Sequence, residues 1–259
     1  MSEWSFLPRA GPARFENAKP AAYHQVWYMP CIELSQFDTD AFQFPFYRVK
    51  RFDGQQLAGE LARLPARRKV AVDAKVPAGD IATSNLLWGL GFRKVCMQVR
   101  LTRDSQQAIP SETTTEVCSK LDLPDDLLWR HARNFSCDRF SLDPLLPREG
   151  VARLFFGWVR NSLTLGSKQI VHCGPDFCTF SLDDDRYAVI DLVSVLDRGK
   201  GIGKALLIGT VNAARGLGAL GVHVTTECEN RPAWNLYVKT GFLPGAFTSA
   251  FHLVRIPAP

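Results

Sequence analysis

The sequence predicts an α/β chain built as two consecutive units, and three observations carry that prediction. A glycine-rich loop, Arg198 to Lys204, joins an apolar strand-like run to a helix-like run. A short capped segment, Asn230 to Gly241, follows a second apolar run. Shifted back by 150 residues, a fainter copy of the same arrangement occupies the first hundred residues.

In chain order, Gln55 to Leu64 aligns with the helix after the glycine loop and Ala71 to Asp80 with the second apolar run. Asn85-Leu86 and Gly91-Phe92 align with Asn235-Leu236 and Gly241-Phe242. Five positions match across the 22 residues from 71 to 92, and chance similarity of two α/β units is the alternative. The copy is degenerate: Arg51-Phe52-Asp53-Gly54 stands where the loop would be, and Leu87 where the second copy has Tyr237. Arg103 to Glu116 is polar, loses hydrophobic periodicity and contains Pro110, which sets the boundary between units 1–104 and 105–259. Beyond it, Asp125 to Phe135 and Glu149 to Leu163 read as helices. In the second of these Val151, Leu154, Phe155, Trp158 and Val159 share one face, expected to be core. Tyr187 to Leu196 reads as a strand, Lys204 to Leu217 as a helix and Val222 to Thr226 as a second strand. The last helix has Asn230 as its N-cap, Pro232 in its first turn, Lys239 in its last turn and Gly241 as its left-handed stop.

Composition narrows the function classes. A chain of 259 residues with 46% hydrophobic residues can fill the cores of two modest domains. A net charge of +5, from scattered basic residues, argues against nucleic acid and suits a small polyanionic ligand. The seven cysteines form no C-x-x-C pair and read as buried thiols; His172, Cys173 and Cys178 lack a second half for a zinc site, so no metal is expected. No apolar run reaches the roughly 18 residues of a membrane helix. The N-terminus, from Met1 to Ser5, lacks a signal pattern, so a cytoplasmic location with no membrane partner is expected.

The loop has the chemistry of a diphosphate cradle. Gly199, Gly201 and Gly203 let backbone N–H groups at a helix start approach an anion, and Arg198, Lys200 and Lys204 add charge around Ile202. The spacing is neither G-x-G-x-x-G nor G-x-x-x-x-G-K-[ST] but R-x-x-G-x-G. Together with N-x-x-A-x-x-L-Y-x-K-x-G-F at 230–242, it resembles the GNAT superfamily of acyl-CoA-dependent N-acyltransferases. The resemblance implies a mixed sheet, α+β in character, with a catalytic GNAT fold in the C-terminal unit and a partial, degenerate GNAT-like N-terminal unit without an acyl donor of its own. It implies acetyl-CoA bound where two central strands splay apart, with Val193 and Val195 on the strand that holds the pantetheine arm and Asn230 at the capped helix. It implies Tyr237 as the general acid to the leaving thiolate. The alternative for Tyr237 is a packed helix tyrosine. The general base is open among Asp191, Glu227, Glu229 and a bound water.

A narrower resemblance sits in Asn134 to Pro144, with the helix after it, and in Phe37 to Pro45. Both are similar to nucleotide-linked amino-sugar N-acetyltransferases of the dTDP-fucosamine acetyltransferase type, which implies a nucleotide-linked amino sugar as the small-molecule acceptor and a role in surface glycan biosynthesis. Arg130, Arg133, Arg139 and His131 would supply cations for its diphosphate, and Phe135, Phe140 and Trp129 flat surfaces, although core packing accounts for any one of them equally well. A peptide amine, an aminoglycoside or another small amine are alternative acceptors. A non-catalytic acyl-CoA-binding module is the alternative to an enzyme, and a homodimer is an open possibility.

Overall fold

A computed structural model describes residues 29–105, 110 and 113–257. The expectation for the N-terminal pentapeptide, the first 28 residues of the first unit, and most of the Gln106 to Glu112 stretch of the boundary lie outside the described residues.

The first unit runs β1 (Ile32–Leu34), α1 (Gln36–Phe42), β2 (Phe46–Val49), α2 (Gly54–Ala62), β3 (Val70–Pro77), α3 (Ile81–Gly89) and β4 (Arg93–Asp104). The rest runs β5 (Glu116–Cys118), α4 (Asp125–Asn134), α5 (Arg139–Leu142), α6 (Arg148–Thr164), β6 (Gln169–Cys173), β7 (Asp176–Leu182), β8 (Tyr187–Ser194), α7 (Ile202–Gly216), β9 (Gly221–Glu227), α8 (Arg231–Lys239) and β10 (Leu243–Arg255). The mixed α/β fold expected from the sequence is present, with the helices at 125–134 and 148–164 close to their expected bounds.

All ten strands form one sheet in the order β1-β2-β3-β10-β4-β9-β8-β7-β6-β5. The order contains an exchange that sequence periodicity does not reveal. β10, the last strand of the second unit, lies between β3 and β4 of the first, and β4 pairs antiparallel with β9 of the second. Each unit therefore lends its last strand to the other, and the sheet is continuous across residue 104.

The 150-residue echo is visible in backbone detail. β2 pairs parallel with β3, as β8 does with β9. Asp80 caps α3 by accepting from the Thr83 N–H at 2.9 Å, and Asn230 caps α8 by accepting from the Ala233 N–H at 3.3 Å. Both helices stop at a glycine with φ of +85°, Gly91 and Gly241. Phe92 and Phe242 then donate N–H back to the carbonyls of Leu87 and Tyr237, each at 3.0 Å.

Alternation along the strands splits the core between two faces. Val70, Val72, Ala74 and Val76 of β3 pack with Leu57 and Leu61 of α2 and Leu87 of α3. Val222 and Val224 of β9 pack with Leu206, Leu207 and Val211 of α7 and with Tyr237 of α8. The opposite face is covered by α1, α4, α5 and α6: Ala71, Phe42, Phe46, Phe140 and Phe155 form one cluster there, and Ile170, Phe177, Leu192, Leu128 and Val159 another.

The unit junction is fastened by a buried charge chain. His252 of β10, fully buried, contacts Asp143 Oδ2 through Nδ1 at 2.9 Å and faces Asp73 Oδ1 of β3 across 3.5 Å. Arg139 holds Asp73 at 3.3 Å, and Arg93 holds Asp143 at 3.0 Å. Burial alone would discharge His252, but its bond to Asp143 and the nearby Asp73 charge outweigh burial and raise its pKa. Burial alone would raise Asp143, and the His252, Leu145 N–H and Arg93 contacts bring it instead to about 2. A histidine whose folded pKa is raised contributes stability that is fully present below its unfolded pKa and is lost as pH rises through the folded value. His252→Gln should therefore cost about 3 kcal/mol near pH 6, the scale for removing one partner of a buried pair. The difference from the unaltered protein should shrink as pH rises through the folded pKa. Denaturant unfolding of both proteins from pH 6 to 9 checks this, and a gap that does not change with pH contradicts it.

Candidate active site

The geometry of the site begins with a bulge. β7 and β8 pair Thr179 with Leu192 and then Phe180 with Ile190, which leaves Asp191 as the extra residue. An inserted residue inverts the alternation of the strand. Ala188 and Ile190 accordingly face the α7 and α8 side, whereas Leu192 belongs to the core under α4 and α6. Val193 and Val195 are turned back towards α7 and α8. The parallel ladder between β8 and β9 ends at the same place, at Ile190 with Val224. Past that point the strands part, and residues 191–195 and 225–227 line a cavity of about 650 Å³.

Helices α4 and α6, with Asp176 of β7 and Lys168, hold the parted end of β8 open. His131 Nδ1 and Ser194 Oγ lie 2.8 Å apart, Asn134 donates to the Val195 carbonyl at 3.1 Å, and Asp176 accepts from the Leu196 N–H at 2.8 Å. Asp191 accepts from Trp158 Nε1 at 2.9 Å and Ser162 Oγ at 3.1 Å, and is paired with Lys168. These bonds commit Asp191 to holding the bulge against α6.

On the α7 side the cavity meets an open helix start. Gly201, at φ +79°, occupies the N-cap position with no side-chain cap. The first backbone bond of α7 is from Ala205 to the Gly201 carbonyl, so the N–H groups of residues 202–204 have no partner inside the helix. A Cβ on Gly203 would stand 3.0 Å from Leu236 Cδ2, so this glycine keeps α7 and α8 close. An uncapped helix start with glycines beneath it fits a diphosphate.

Of the ten residues expected around the cofactor, Val193, Val195, Arg198, Gly199, Gly201, Ile202, Gly203, Lys204 and Asn230 line the cavity. Lys200 is outside this lining. It is exposed and paired with Asp197 at 3.1 Å. Tyr237 lines the cavity and is buried, and burial pushes its phenol well above the usual tyrosine range. Among the described residues no hydrogen bond reaches the Tyr237 hydroxyl.

The other end of the cavity lies against α4, α5 and α6. Phe135, Arg139 and Phe140 line it. Arg139 is nearly buried, stacked on the Phe140 ring at 4.1 Å. Arg130 and Arg133 are exposed and do not line it, because α4 turns Leu128, His131 and Ala132 to the interior and these two arginines away from it. Arg133 stacks on Trp129 at 5.7 Å instead. His131 is no cation for an acceptor: it is fully buried, and burial lowers its pKa. The apolar stripe of α6, expected to be wholly core, also faces the cavity, where Phe155 stacks on Phe135 at 4.5 Å and on Trp158 at 5.6 Å.

Two lining residues stand out that the sequence had not separated from their neighbours. Glu227, at the parted end of β9, is buried and accepts from Gln98 Nε2 at 2.8 Å. Burial raises its pKa despite that bond. Glu229 is exposed. Lys75, on β3, enters from the first unit. Among the described residues no three His, Cys, Asp or Glu side chains converge as a metal site, and no helix is long and apolar enough to cross a membrane.

Comparison with known proteins agrees with this geometry. Residues 177–242, which contain β7, the bulge, the loop, α7, β9 and α8, match the Acetyltransferase (GNAT) family. The second unit has a GNAT-type fold. The match supports an acyl-CoA-dependent acetyltransferase. A GCN5-related N-acetyltransferase from Sphaerobacter thermophilus superposes with a TM-score of 0.57 at 14% identity, covering 88% of this chain and 77% of its own. A tandem GNAT protein from the clavulanic acid biosynthesis pathway gives 0.52 at 15% identity, covering 83% and 76%. A GCN5-related N-acetyltransferase from Kribbella flavida gives 0.50 at 13%, covering 82% of each chain. At these identities the likeness is one of fold, and it extends over both units. No curated protein matches the chain by sequence.

As the expected seat of a coenzyme A diphosphate, the loop yields a direct test. Gly201→Val forces a β-branched residue to a positive φ, and Gly203→Val drives a side chain into Leu236. Each folded variant should bind acetyl-CoA about tenfold or more weakly by calorimetry, a loss of about 1.4 kcal/mol. Unchanged affinity in both would remove the loop from the cofactor site.

Proposed function

We propose that the protein is an N-acetyltransferase that moves the acetyl group of acetyl-CoA to the amine of a small acceptor, with a nucleotide-linked amino sugar as the leading acceptor. The observation that carries the reading is the passage through the sheet. One cavity joins an uncapped helix start and Tyr237 to a buried carboxylate, a cation and an aromatic wall at its other end.

Acetyl-CoA supplies the thioester. The N–H groups of residues 202–204, with Arg198 and Lys204, hold its diphosphate, and the edge of residues 193–195 that β9 no longer pairs directs its carbonyl. Glu227 takes the proton that the acceptor amine sheds as its nitrogen bonds to the acetyl carbon. Burial brings Glu227 nearer to neutral pH, which suits a general base. Tyr237 gives its proton to the coenzyme A sulfur as the carbon–sulfur bond breaks. Burial keeps the phenol protonated at neutral pH, while the same rise in pKa makes it a weaker acid, so the proton leaves only as the thiolate charge develops beside it. Asp191 is less suited as the base, since its Oδ2 already takes Trp158, Ser162 and Lys168.

For the acceptor, the stacked Phe135, Phe155 and Trp158 offer flat apolar surface and Arg139 offers charge, both suited to a sugar nucleotide. The outward position of Arg130 and Arg133 favours a second reading, a smaller amine without a nucleotide. Coenzyme A release compared between a free amino sugar and its nucleotide-linked form separates the two.

Tyr237→Phe keeps the ring and removes the proton, so turnover should fall about a hundredfold to ten-thousandfold with acetyl-CoA affinity nearly unchanged. Glu227→Gln should lower turnover by a similar factor and abolish the acidic limb of the pH profile, which in the unaltered enzyme lies above the ordinary carboxylate range. If either variant stays within about threefold of the original rate while chemistry is rate-limiting, that residue moves no proton in the reaction.

A further inference from the structure

The acceptor end of the cavity carries a charge that the protein leaves unmatched. Lys75 projects from β3 on the same face as Asp73, opposite the apolar set Val70, Val72, Ala74 and Val76. It lines the cavity, and its side chain stays open to solvent there although protein surrounds it. Among the described residues it makes no ion pair and no hydrogen bond.

The groups facing Lys75 explain why. Asp73 is held by Arg139 at 3.3 Å and turned towards His252. Glu227 is bonded to Gln98. Arg48, on β2, is spent on Asp38. Arg139 uses Nε on Asp73 and presents the rest of its guanidinium beside Phe140 at the cavity wall. Lys75 thus faces the cavity without a partner among the described residues, beside an Arg139 that is paired with Asp73 through Nε alone. Burial and the Arg139 charge bring the Lys75 amine down to about 8, against the pull of Asp73 and Glu227.

We infer that Lys75 and Arg139 form an anion subsite for the acceptor, taking a phosphate or carboxylate group other than the amine that is acetylated. The inference rests on the proposed acetyl-transfer reading, which places the reactive amine near Glu227. The sheet order β3-β10-β4-β9 puts the backbones of Lys75 and Glu227 three strand spacings apart, about 14 Å, while their side chains converge on one cavity. An acceptor in this space has its amine at the strand gap and its anion towards the first unit. The degenerate unit then acts as the half of the enzyme that selects the acceptor.

The test reads Lys75 itself. The whole protein, reductively methylated with carbon-13 methyl groups and saturated with coenzyme A to block the glycine loop, is titrated by NMR, with the Lys75 signal assigned by its loss in Lys75→Arg. Inorganic pyrophosphate and succinate are the probes, and comparing them separates phosphate from carboxylate preference. The expected result is a rise of about one pH unit in the Lys75 midpoint with one of them, since a bound anion favours the charged amine. A midpoint that neither probe moves at tens of millimolar overturns the subsite. As a second readout, Lys75→Gln should lower the ratio of kcat/KM for glucosamine 6-phosphate over glucosamine about tenfold, the effect of one charge-assisted contact. An unchanged ratio counts against the subsite. If no amine is acetylated but the midpoint still moves, the acetyl-transfer reading fails and the anion subsite stands. If transfer proceeds and the midpoint is fixed, only the subsite fails.

Discussion

One extra residue in one strand sets up the rest of the site. With Asp191 inserted opposite the Thr179–Phe180 step, β8 inverts its faces and stops pairing with β9 at Ile190. Free strand edges are costly unless something satisfies or covers them. Here the parted end is held from the α4 and α6 side by His131, Asn134, Trp158, Ser162 and Lys168, while its other edge opens on the cavity. Without the bulge, Val193 and Val195 would face α4, and the ladder with β9 would have no local reason to stop where it does.

The strand exchange makes the gap an internal passage. Because β10 and β4 cross between units, the sheet continues from β9 through β4 and β10 to β3. The wall of the cavity beyond the gap is then contributed by the first unit and by the α4 to α6 layer, and the charge chain through His252, Asp73, Asp143, Arg139 and Arg93 fixes that layer on both units at once. The same Arg139 that anchors α5 to β3 also reaches the cavity, so the stability of the junction and the shape of the acceptor end are linked through one side chain.

Much of this was legible from residues whose role is local. The capped helix at 230–241, the open loop at 198–204 and the shift of 150 residues to Asp80 and Gly91 all rest on short-range backbone chemistry, and short-range chemistry is written in short stretches of sequence. The bulge was not legible, because an apolar and polar alternation through Tyr187 to Ser194 looks the same whether or not one residue has been inserted. The exchange of β4 and β10 was not legible for the complementary reason, since either strand would satisfy the edge of its own unit as well as that of the other. Helix phase decides which of the candidate cations reach the cavity: Arg130, Arg133 and Arg139 lie close in sequence, yet of the three only Arg139 is turned inward, by a short helix capped by Asp138.

The two units also differ at the one place where an anion would be held. α2 begins at Asp53, whose side chain accepts from the Gln56 N–H at 2.9 Å, so a carboxylate of the chain already occupies the positive end of that helix. α7 begins at Gly201, with no side chain to do the same. A capping carboxylate and a bound diphosphate compete for the same N–H groups, and a helix start stabilised from within has little left to offer a ligand. The two units thus differ at this helix start: the first closes its helix with its own carboxylate, and the second leaves its helix open as the proposed seat of acetyl-CoA.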